Sequence, residues 1–309
     1  MTERMATRDA YGKTLVKLGE KYDNLVVMDA DLSGSTRTGM FAKAYPGRFF
    51  NMGIAEQNLY GAAAGLAHSG KIVCASTFAM FATGRAFEII RNSIGYTGAN
   101  VKVCASHGGI TTGEDGGSHQ TFEDFALMRT IPGMTVVSPA DAVSAEKLLE
   151  QLVGMEGPAY MRLGRSAVPI FYEEDAAITL GKGNLLREGG DVTIFAIGIM
   201  VNAALDAAKE LEDDGIKATV ADIHTLKPLD EGFVVSCAQK TGKVVTAEEH
   251  SIIGGLGSAV SHTLSRKYPC KMGMVGQLDT FGESGKPDEL LQKYKMTAAD
   301  IVLKVKAIL

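Results

Sequence analysis

Short apolar runs alternate along the first half of the chain with longer stretches in which apolar residues recur every three or four positions. The short runs predict six strands, at Asn24–Asp29, Phe49–Met52, Ile72–Phe78, Val101–Ser106, Met134–Ser138 and Ala159–Leu163. The longer stretches predict helices at Asp9–Tyr22, Ile54–His68, Thr83–Tyr96 and Asp141–Leu152. This alternation is typical of a parallel sheet with helices on both faces.

A second alternation follows the segment Arg165–Gly190, which has no apolar period and which we interpret as an interdomain connection. It predicts a helix with apolar positions from Val201 to Leu211, a final helix at Ala298–Leu309, and strands at Val192–Ile197, Ala218–Ile223, Lys243–Thr246 and Met272–Gly276. We therefore predict an α/β protein of two doubly wound, mostly parallel-sheet domains. They span residues 1–170 and 191–309, with a linker at 171–190.

The composition agrees with two folded domains, because 309 residues exceed what one hydrophobic core usually organises. A hydrophobic fraction of 46% excludes a disordered chain, and a formal charge of −5 predicts no nucleic-acid partner. No uncharged run approaches the length of a membrane span, so we expect no membrane partner. The four scattered cysteines indicate neither a disulfide framework nor a zinc site, and they favour a cytoplasmic location.

A carboxylate stands where one predicted strand gives way to a helix. The segment Asn51–Asn58 has the sequence NMGIAEQN, in which Gly53 turns the chain and Glu56 begins the helix. Open α/β sheets bind ligands at the carboxyl ends of their strands, so Glu56 is a candidate catalytic residue. A glutamate in a first helical turn also complements the helix dipole without any chemistry, and this alternative stays open.

A polar, glycine-dense loop follows the predicted strand at Val101–Ser106. It has the sequence SHGGITTGEDGGSHQ, and its five glycines in fifteen residues let a ligand approach the backbone closely. The side chains favour sugar binding, although a flexible solvated loop and a metal site at His107, Asp115 and His119 are alternatives.

Two aromatic residues and two arginines also lie at predicted strand ends. Phe78 and Phe81 are three positions apart, so they suit one face of a helical turn and form either a wall for a flat ring or part of the core. Arg162 and Arg165 suit either a phosphate, which guanidinium binds through two hydrogen bonds, or a surface position.

Together these segments resemble the transketolase family, in the same order and over nearly the whole chain. In that family the glutamate of a GIAEQN-like segment hydrogen-bonds N1′ of the thiamine aminopyrimidine, and Glu56 matches it. This contact favours the tautomer that removes the thiazolium C2 proton. Phe78 and Phe81 match the aromatic pocket of the pyrimidine, whereas Gly84 stands where the family has a further aromatic residue.

The resemblance also assigns residues to the substrate. The segment Ala30–Ser35 looks like the family's ADLTxS stretch, which implies that Asp31 lies near the cofactor and Ser35 near a substrate phosphate. His107 and Arg165 match positions that hold the terminal phosphate of the acceptor.

The segment GEDGGSHQ resembles the family's GEDGPTHQ loop. This match implies that Asp115 binds a sugar hydroxyl and that His119 is a catalytic residue beside the cofactor and the donor carbonyl. Whole family members also have an N-terminal domain, in which a GDG motif and a later asparagine hold magnesium and the diphosphate. The sequence has no such pair, since Gly113–Gly116 belongs to the sugar loop.

The resemblance thus implies a partner, the N-terminal transketolase subunit, in an α2β2 assembly that uses thiamine diphosphate and Mg²⁺. The metal and the diphosphate would be held mainly by that partner, with no metal ligand in this chain. The implied activity is transfer of a two-carbon ketol unit between phosphosugars, as in the pentose phosphate pathway. The alternatives are the β subunit of a 2-oxoacid dehydrogenase E1 component, a deoxyxylulose-phosphate-synthase-like enzyme and a non-catalytic scaffold paralogue.

Overall fold

The structure is a computed structural model that describes residues 3–309. Its strands are β1 (Arg4–Ala6), β2 (Leu25–Asp29), β3 (Phe49–Asn51), β4 (Ile72–Ser76), β5 (Val101–Ser106), β6 (Thr135–Val137), β7 (Ala159–Leu163), β8 (Ala167–Pro169), β9 (Asn184–Arg187), β10 (Val192–Ala196), β11 (Ala218–Asp222), β12 (Thr225–Lys227), β13 (Lys243–Ser251) and β14 (Lys271–Gln277). Its α-helices are α1 (Thr7–Lys21), α2 (Ser33–Thr36), α3 (Gly39–Ala44), α4 (Glu56–His68), α5 (Phe87–Ile89), α6 (Asp124–Thr130), α7 (Ala142–Gly154), α8 (Met200–Asp213), α9 (Glu231–Thr241), α10 (Leu256–Lys267), α11 (Pro287–Lys293) and α12 (Ala298–Ile308).

The first sheet contains all six strands predicted for the first half of the chain. Its order is β12-β6-β7-β5-β4-β2-β3, and every pair is parallel except β12 with β6. β2, β4, β5 and β7 are buried along their whole length, which explains why they have continuous apolar runs.

Helices cover both faces of this sheet. On one face, Cys74 and Cys104 pack with side chains of α1 and α7, including Tyr11 and Leu148. On the other face, alternate residues of the same strands pack against α4. The side chains of successive strand residues point to opposite faces, and so one short run supplies both cores.

The second sheet has the order β14-β13-β10-β11-β9, and only β9 is antiparallel to its neighbour. α8 and α12 pack on one face, and α9 and α10 on the other. The predicted fold class, two doubly wound and mostly parallel-sheet domains, is therefore confirmed.

Two segments differ from the prediction. Arg165–Gly190 is not a plain connection, since it contains β8, which pairs with β1, and β9, which forms an edge of the second sheet. The helix predicted at Thr83–Tyr96 is instead α5 between two π-helical turns, at Phe81–Arg85 and Ile90–Gly95. The division at 170 and 190 remains a prediction. Within residues 3–309, no helix combines the length and the apolar character needed to cross a membrane.

Candidate active site

Glu56 is the first residue of α4, where the chain enters the helix after the carboxyl end of β3. Its side chain is 2% exposed, although most glutamates lie at the surface. The carboxylate accepts a hydrogen bond at Oε2 from Arg85 Nη1, at 2.8 Å. A buried carboxylate with one charged donor and one further oxygen is a group that can accept a second donor from a ligand.

Four aromatic rings form a cluster that Arg85 links to this carboxylate. Phe78 stacks on His107 with 3.9 Å between ring centroids, and its ring lies 6.0 Å from that of Phe81. His119 meets Phe81 edge-on at 5.2 Å, while the Arg85 guanidinium lies 5.0 Å from the Phe81 centroid. The structure therefore brings together residues from three segments of the sequence. They are Glu56, the pair Phe78 and Phe81, and the loop residues His107 and His119.

His107 has the backbone conformation of a left-handed turn, with φ of 60°, and its side chain is buried. Burial and the nearby cations Arg8 and Arg165 lower the pKa of His107 to about 3, so the ring is neutral at pH 7. Since Arg8 Nη1 donates to Nε2 at 3.3 Å, the ring proton is on Nδ1, which faces Ser106 Oγ at 2.8 Å.

Arg8 links the loop that contains His107 to the segment that contains Ser35. Its Nη1 also donates to the Ser35 carbonyl oxygen at 2.9 Å, while its buried Nε has no hydrogen-bond partner among the described residues. Burial and the neighbouring Arg37 lower the pKa of Arg8. A partly buried guanidinium with an unpartnered N–H is suited to an anionic ligand.

Two more arginines, Arg37 and Arg165, lie close enough to Arg8 for their charges to lower its pKa. Arg165 donates to the Thr112 carbonyl oxygen and, at 2.7 Å, to the exposed Glu114. Arg37 is paired with Asp9 on α1. Three guanidiniums and a neutral histidine thus lie close together, and two of the guanidiniums are each paired with a carboxylate.

The two predicted aspartates lie at the surface. Asp115 ends a 3₁₀ turn at Ile110–Asp115, and its side chain is exposed. Asp31 has φ of 65° and exchanges hydrogen bonds with the Asn51 side chain, at 2.9 and 3.1 Å. The buried carboxylate of this region is Asp29, which accepts hydrogen bonds from Thr36, Thr38 and the backbone of Leu32. Asp29 therefore fixes the loop that presents Asp31 and Ser35.

Arg162 lies neither at the surface nor among the groups that face the cleft. Its side chain is 5% exposed and is paired with Asp124 at 3.2 Å. Its Nη2 donates to the carbonyl oxygens of Thr121 and Glu249, at 3.3 and 2.9 Å. The surface position that the sequence offered for Arg162 is therefore wrong, whereas the phosphate contact remains a prediction.

The glycine-rich loop at Ser106–Gln120 contacts the second domain through Glu249 of β13. The Glu249 side chain accepts a hydrogen bond from the Thr111 backbone at 2.6 Å, and a Cβ on Gly109 would lie only 2.3 Å from the Glu249 carboxyl carbon. Gly109 also has φ of 85°, which favours glycine. This contact fixes the loop relative to β13.

Three site arginines were missed by the sequence reasoning, namely Arg8, Arg37 and Arg85. Arg8 lies on α1 and Arg85 in a helical turn, where an arginine normally indicates only a solvated face, and Arg37 follows the end of α2 with φ of 70°. The weak signal for Arg85 was its position one residue after Gly84, the departure from the family pattern. Among residues 3–309, no group of three or more His, Cys, Asp or Glu side chains is arranged to hold a metal ion.

The structure is that of an α/β protein with two parallel-dominated sheets and a candidate ligand site at the carboxyl ends of the first. Comparison with known families is specific: residues 3–170 match the transketolase pyrimidine-binding domain, and residues 181–301 match the transketolase C-terminal domain. The chain belongs to the transketolase family and corresponds to the C-terminal half of a split transketolase, so the predicted resemblance is confirmed.

Three similar proteins give this assignment detail. A putative transketolase C-terminal section from Methanocaldococcus jannaschii is 50% identical over 96% of this chain and 94% of its own length. The 6-deoxy-6-sulfo-D-fructose transketolase subunit SqwH from a Clostridium species (strain MSTE9) is 45% identical over 96% and 92%. A solved structure described as a split gene transketolase, inactive beta4 tetramer, is 55% identical, with a TM-score of 0.91 over 99% of this chain and 98% of that chain. Family membership supports an activity of the transketolase type that depends on thiamine diphosphate.

Proposed function

We propose that this chain is one subunit of a cytoplasmic transketolase that transfers a two-carbon ketol unit between phosphosugars. The observation that carries the proposal is the buried Glu56 carboxylate, which Arg85 links to the Phe78–Phe81 pair at the carboxyl edge of a parallel sheet. In this proposal a separate N-terminal subunit binds Mg²⁺ and the diphosphate of thiamine diphosphate, and the two subunits form an α2β2 assembly.

The residues of the cleft suit the pyrimidine end of thiamine diphosphate. Glu56 offers a buried acceptor to a ring nitrogen, and Phe78 and Phe81 offer apolar surface to a flat ring. His119 meets the Phe81 ring edge-on and is partly exposed, so it is within reach of a bound ligand. When bound, the cofactor supplies the carbon nucleophile for cleavage and formation of the carbon–carbon bond.

The chain's own residues divide the remaining tasks. Glu56 holds and shares a proton at the pyrimidine nitrogen, which is general acid–base work for a positioned carboxylate. His119 moves protons at the donor carbonyl. Asp115, which is exposed on the glycine-rich loop, binds a sugar hydroxyl. Asp31 borders the cofactor at the end of β2. The stacked rings exclude water from the neighbourhood of Glu56.

The group of arginines gives the proposal its substrate class. Arg8 and Arg165 flank the neutral His107, and the Ser35 backbone is held beside Arg8. Guanidiniums bind phosphate through paired, charge-assisted hydrogen bonds, so a sugar with a terminal phosphate suits this end of the cleft. A terminal sulfonate is the related alternative, because the similar protein from the Clostridium species is named for a sulfo-sugar.

Replacing Arg8 with alanine tests the anion site. We expect KM for a phosphorylated acceptor to rise about 10- to 100-fold, because a hydrogen bond to a charged group contributes about 1.5–3 kcal/mol. Steady-state kinetics of the assembled enzyme would measure it, with the exposed Arg4→Ala as the matched control. A similar rise for an acceptor without a phosphate would contradict the assignment, and parallel assays with phospho- and sulfo-ketoses would separate the two anions.

Mixing experiments test the partner. We expect the purified chain alone to show no ketol transfer, and an equimolar mixture with an N-terminal transketolase subunit to show transfer from xylulose 5-phosphate to ribose 5-phosphate. Analytical ultracentrifugation of the mixture should give a 2:2 complex. Transfer by the chain alone would disprove the need for a partner. Turnover of pyruvate with a lipoyl acceptor, but not of sugars, would favour the 2-oxoacid dehydrogenase alternative.

A further inference from the structure

Arg85 lies in the irregular helical segment that follows the aromatic pair Phe78 and Phe81. It ends the π-helical turn at Phe81–Arg85, in which the Ala86 backbone N–H donates to the Phe81 carbonyl oxygen five residues earlier. A π turn inserts one residue compared with an α-helix and is frequent at functional sites. Arg85 follows Phe81 by four residues, a spacing that places two side chains on the same side of a helical turn, and the two side chains are in contact here.

The guanidinium of Arg85 joins the two main parts of the proposed cofactor site. Nη1 donates to Glu56 Oε2 at 2.8 Å, and the guanidinium carbon lies 5.0 Å from the centroid of the Phe81 ring. The side chain itself is 51% exposed, while its partner Glu56 is 2% exposed. A half-exposed cation that reaches down to a buried anion covers that anion from the solvent side.

Gly84 leaves the position directly before Arg85 without a side chain. Gly84 precedes Arg85 and stands where the family pattern has a further aromatic residue. A Cβ there would lie 2.6 Å from the terminal methyl of Met80, so even a small side chain would displace its neighbour. The planar guanidinium over Phe81 is the group that borders the pocket near this position.

We propose that Arg85 is a positioning residue for Glu56 and forms the third wall of the pyrimidine pocket in place of the missing aromatic side chain. This inference rests on the proposed function. By holding Oε2, Arg85 leaves Oε1 to meet a ring nitrogen and prevents rotation of the carboxylate. By stacking on Phe81, it extends the flat surface against which a heteroaromatic ring packs.

The test uses the assembled two-subunit enzyme and measures two properties besides turnover. Isothermal titration calorimetry gives the Kd of thiamine diphosphate, and NMR gives the rate of hydrogen–deuterium exchange at its C2 carbon. For Arg85→Ala we expect Kd to rise about tenfold and exchange to slow about tenfold, comparable with the loss of one charge-assisted hydrogen bond. Arg85→Lys should recover part of both, because it restores the charge without the planar fork.

The matched control is Arg91→Ala, because Arg91 is exposed on the same segment and donates to the adjacent Asn92. It should bind and exchange like the wild type. Wild-type Kd and exchange rate in Arg85→Ala would overturn the inference, as would an equal loss in Arg91→Ala. A wild-type assembly that neither binds the cofactor nor exchanges its C2 proton would instead overturn the proposed function, so the two failures are distinguishable.

Discussion

Replacing Glu56 with glutamine is expected to abolish ketol transfer by the assembled enzyme, with kcat reduced by about 10²–10⁴-fold or more. Glutamine keeps the size of the side chain and still accepts a hydrogen bond, but it cannot share a proton with a ring nitrogen. The loss should therefore fall on C2 proton exchange of the cofactor rather than on substrate KM. Exchange measured by NMR and stopped-flow transfer assays would separate these effects.

The control for this variant is Glu88→Gln, which makes the same chemical change in the same domain at an exposed glutamate. Its activity should equal that of the wild type. The free energy of unfolding of Glu56→Gln, measured with urea, should be close to that of the wild type. The Arg85 side chain that loses its ion-pair partner is half-exposed, so water can solvate its charge. Ketol transfer by Glu56→Gln at the wild-type rate would rule out the proposed proton transfer, whatever the state of its folding.

The strands of the first sheet were predictable because burial on both faces leaves a continuous apolar run. β5 and β7 have the predicted bounds, and β2 and β4 differ only at their ends. The short strand β12 was not predicted, because its three residues gain strand geometry only by pairing with β6 in the other domain. No local pattern in a single sequence records such a long-range pair.

The irregular segment at Phe81–Gly95 shows a different limit of sequence reasoning. Apolar residues there recur with a helical period, so the pattern predicted one regular helix. Two π turns instead shift the register. A helical period of apolar residues does not distinguish an α-helix from one interrupted by π turns, because the two differ by only one residue per π turn.

The residues of the candidate site also differ in how well the sequence predicts their position. Glu56, Phe78 and His107 follow strands whose carboxyl ends lie at one edge of the sheet, so parallel pairing predicts that all three lie at that edge. Arg8 and Arg85 reach the same place from helical segments through long side chains. Their direction depends on rotamers and on which carboxylates are buried nearby, and neither appears in the sequence pattern.

Burial also separates the two arginines that the sequence had treated alike. Arg165 faces the cleft and is partly exposed, whereas Arg162 is enclosed between the two domains with Asp124. Burial alone would lower the pKa of Arg162, but Asp124 and Glu249 raise it above the usual arginine value. The guanidinium is therefore charged, and it joins the glycine-rich loop to β13 through the Thr121 and Glu249 carbonyl oxygens.

Replacing Arg162 with methionine is expected to lower the free energy of unfolding by about 3–5 kcal/mol, because it leaves the Asp124 charge buried without its cation. Asp124 is fully buried and would retain only the Tyr160 hydroxyl as a donor to Oδ2, at 2.6 Å. Urea unfolding followed by circular dichroism would measure the loss. Arg187→Met is the matched control, since its partner Glu212 is 61% exposed and such pairs contribute about 0–1 kcal/mol.

The double variant Arg162→Met with Asp124→Asn identifies the cause. If the unpaired buried charge is responsible, removing that charge as well should recover a large part of the stability lost in the single variant. If the carbonyl contacts of Arg162 carry the stability instead, the double variant should be at least as unstable as the single one. A single variant as stable as Arg187→Met would contradict a stabilising role of the buried ion pair between Arg162 and Asp124.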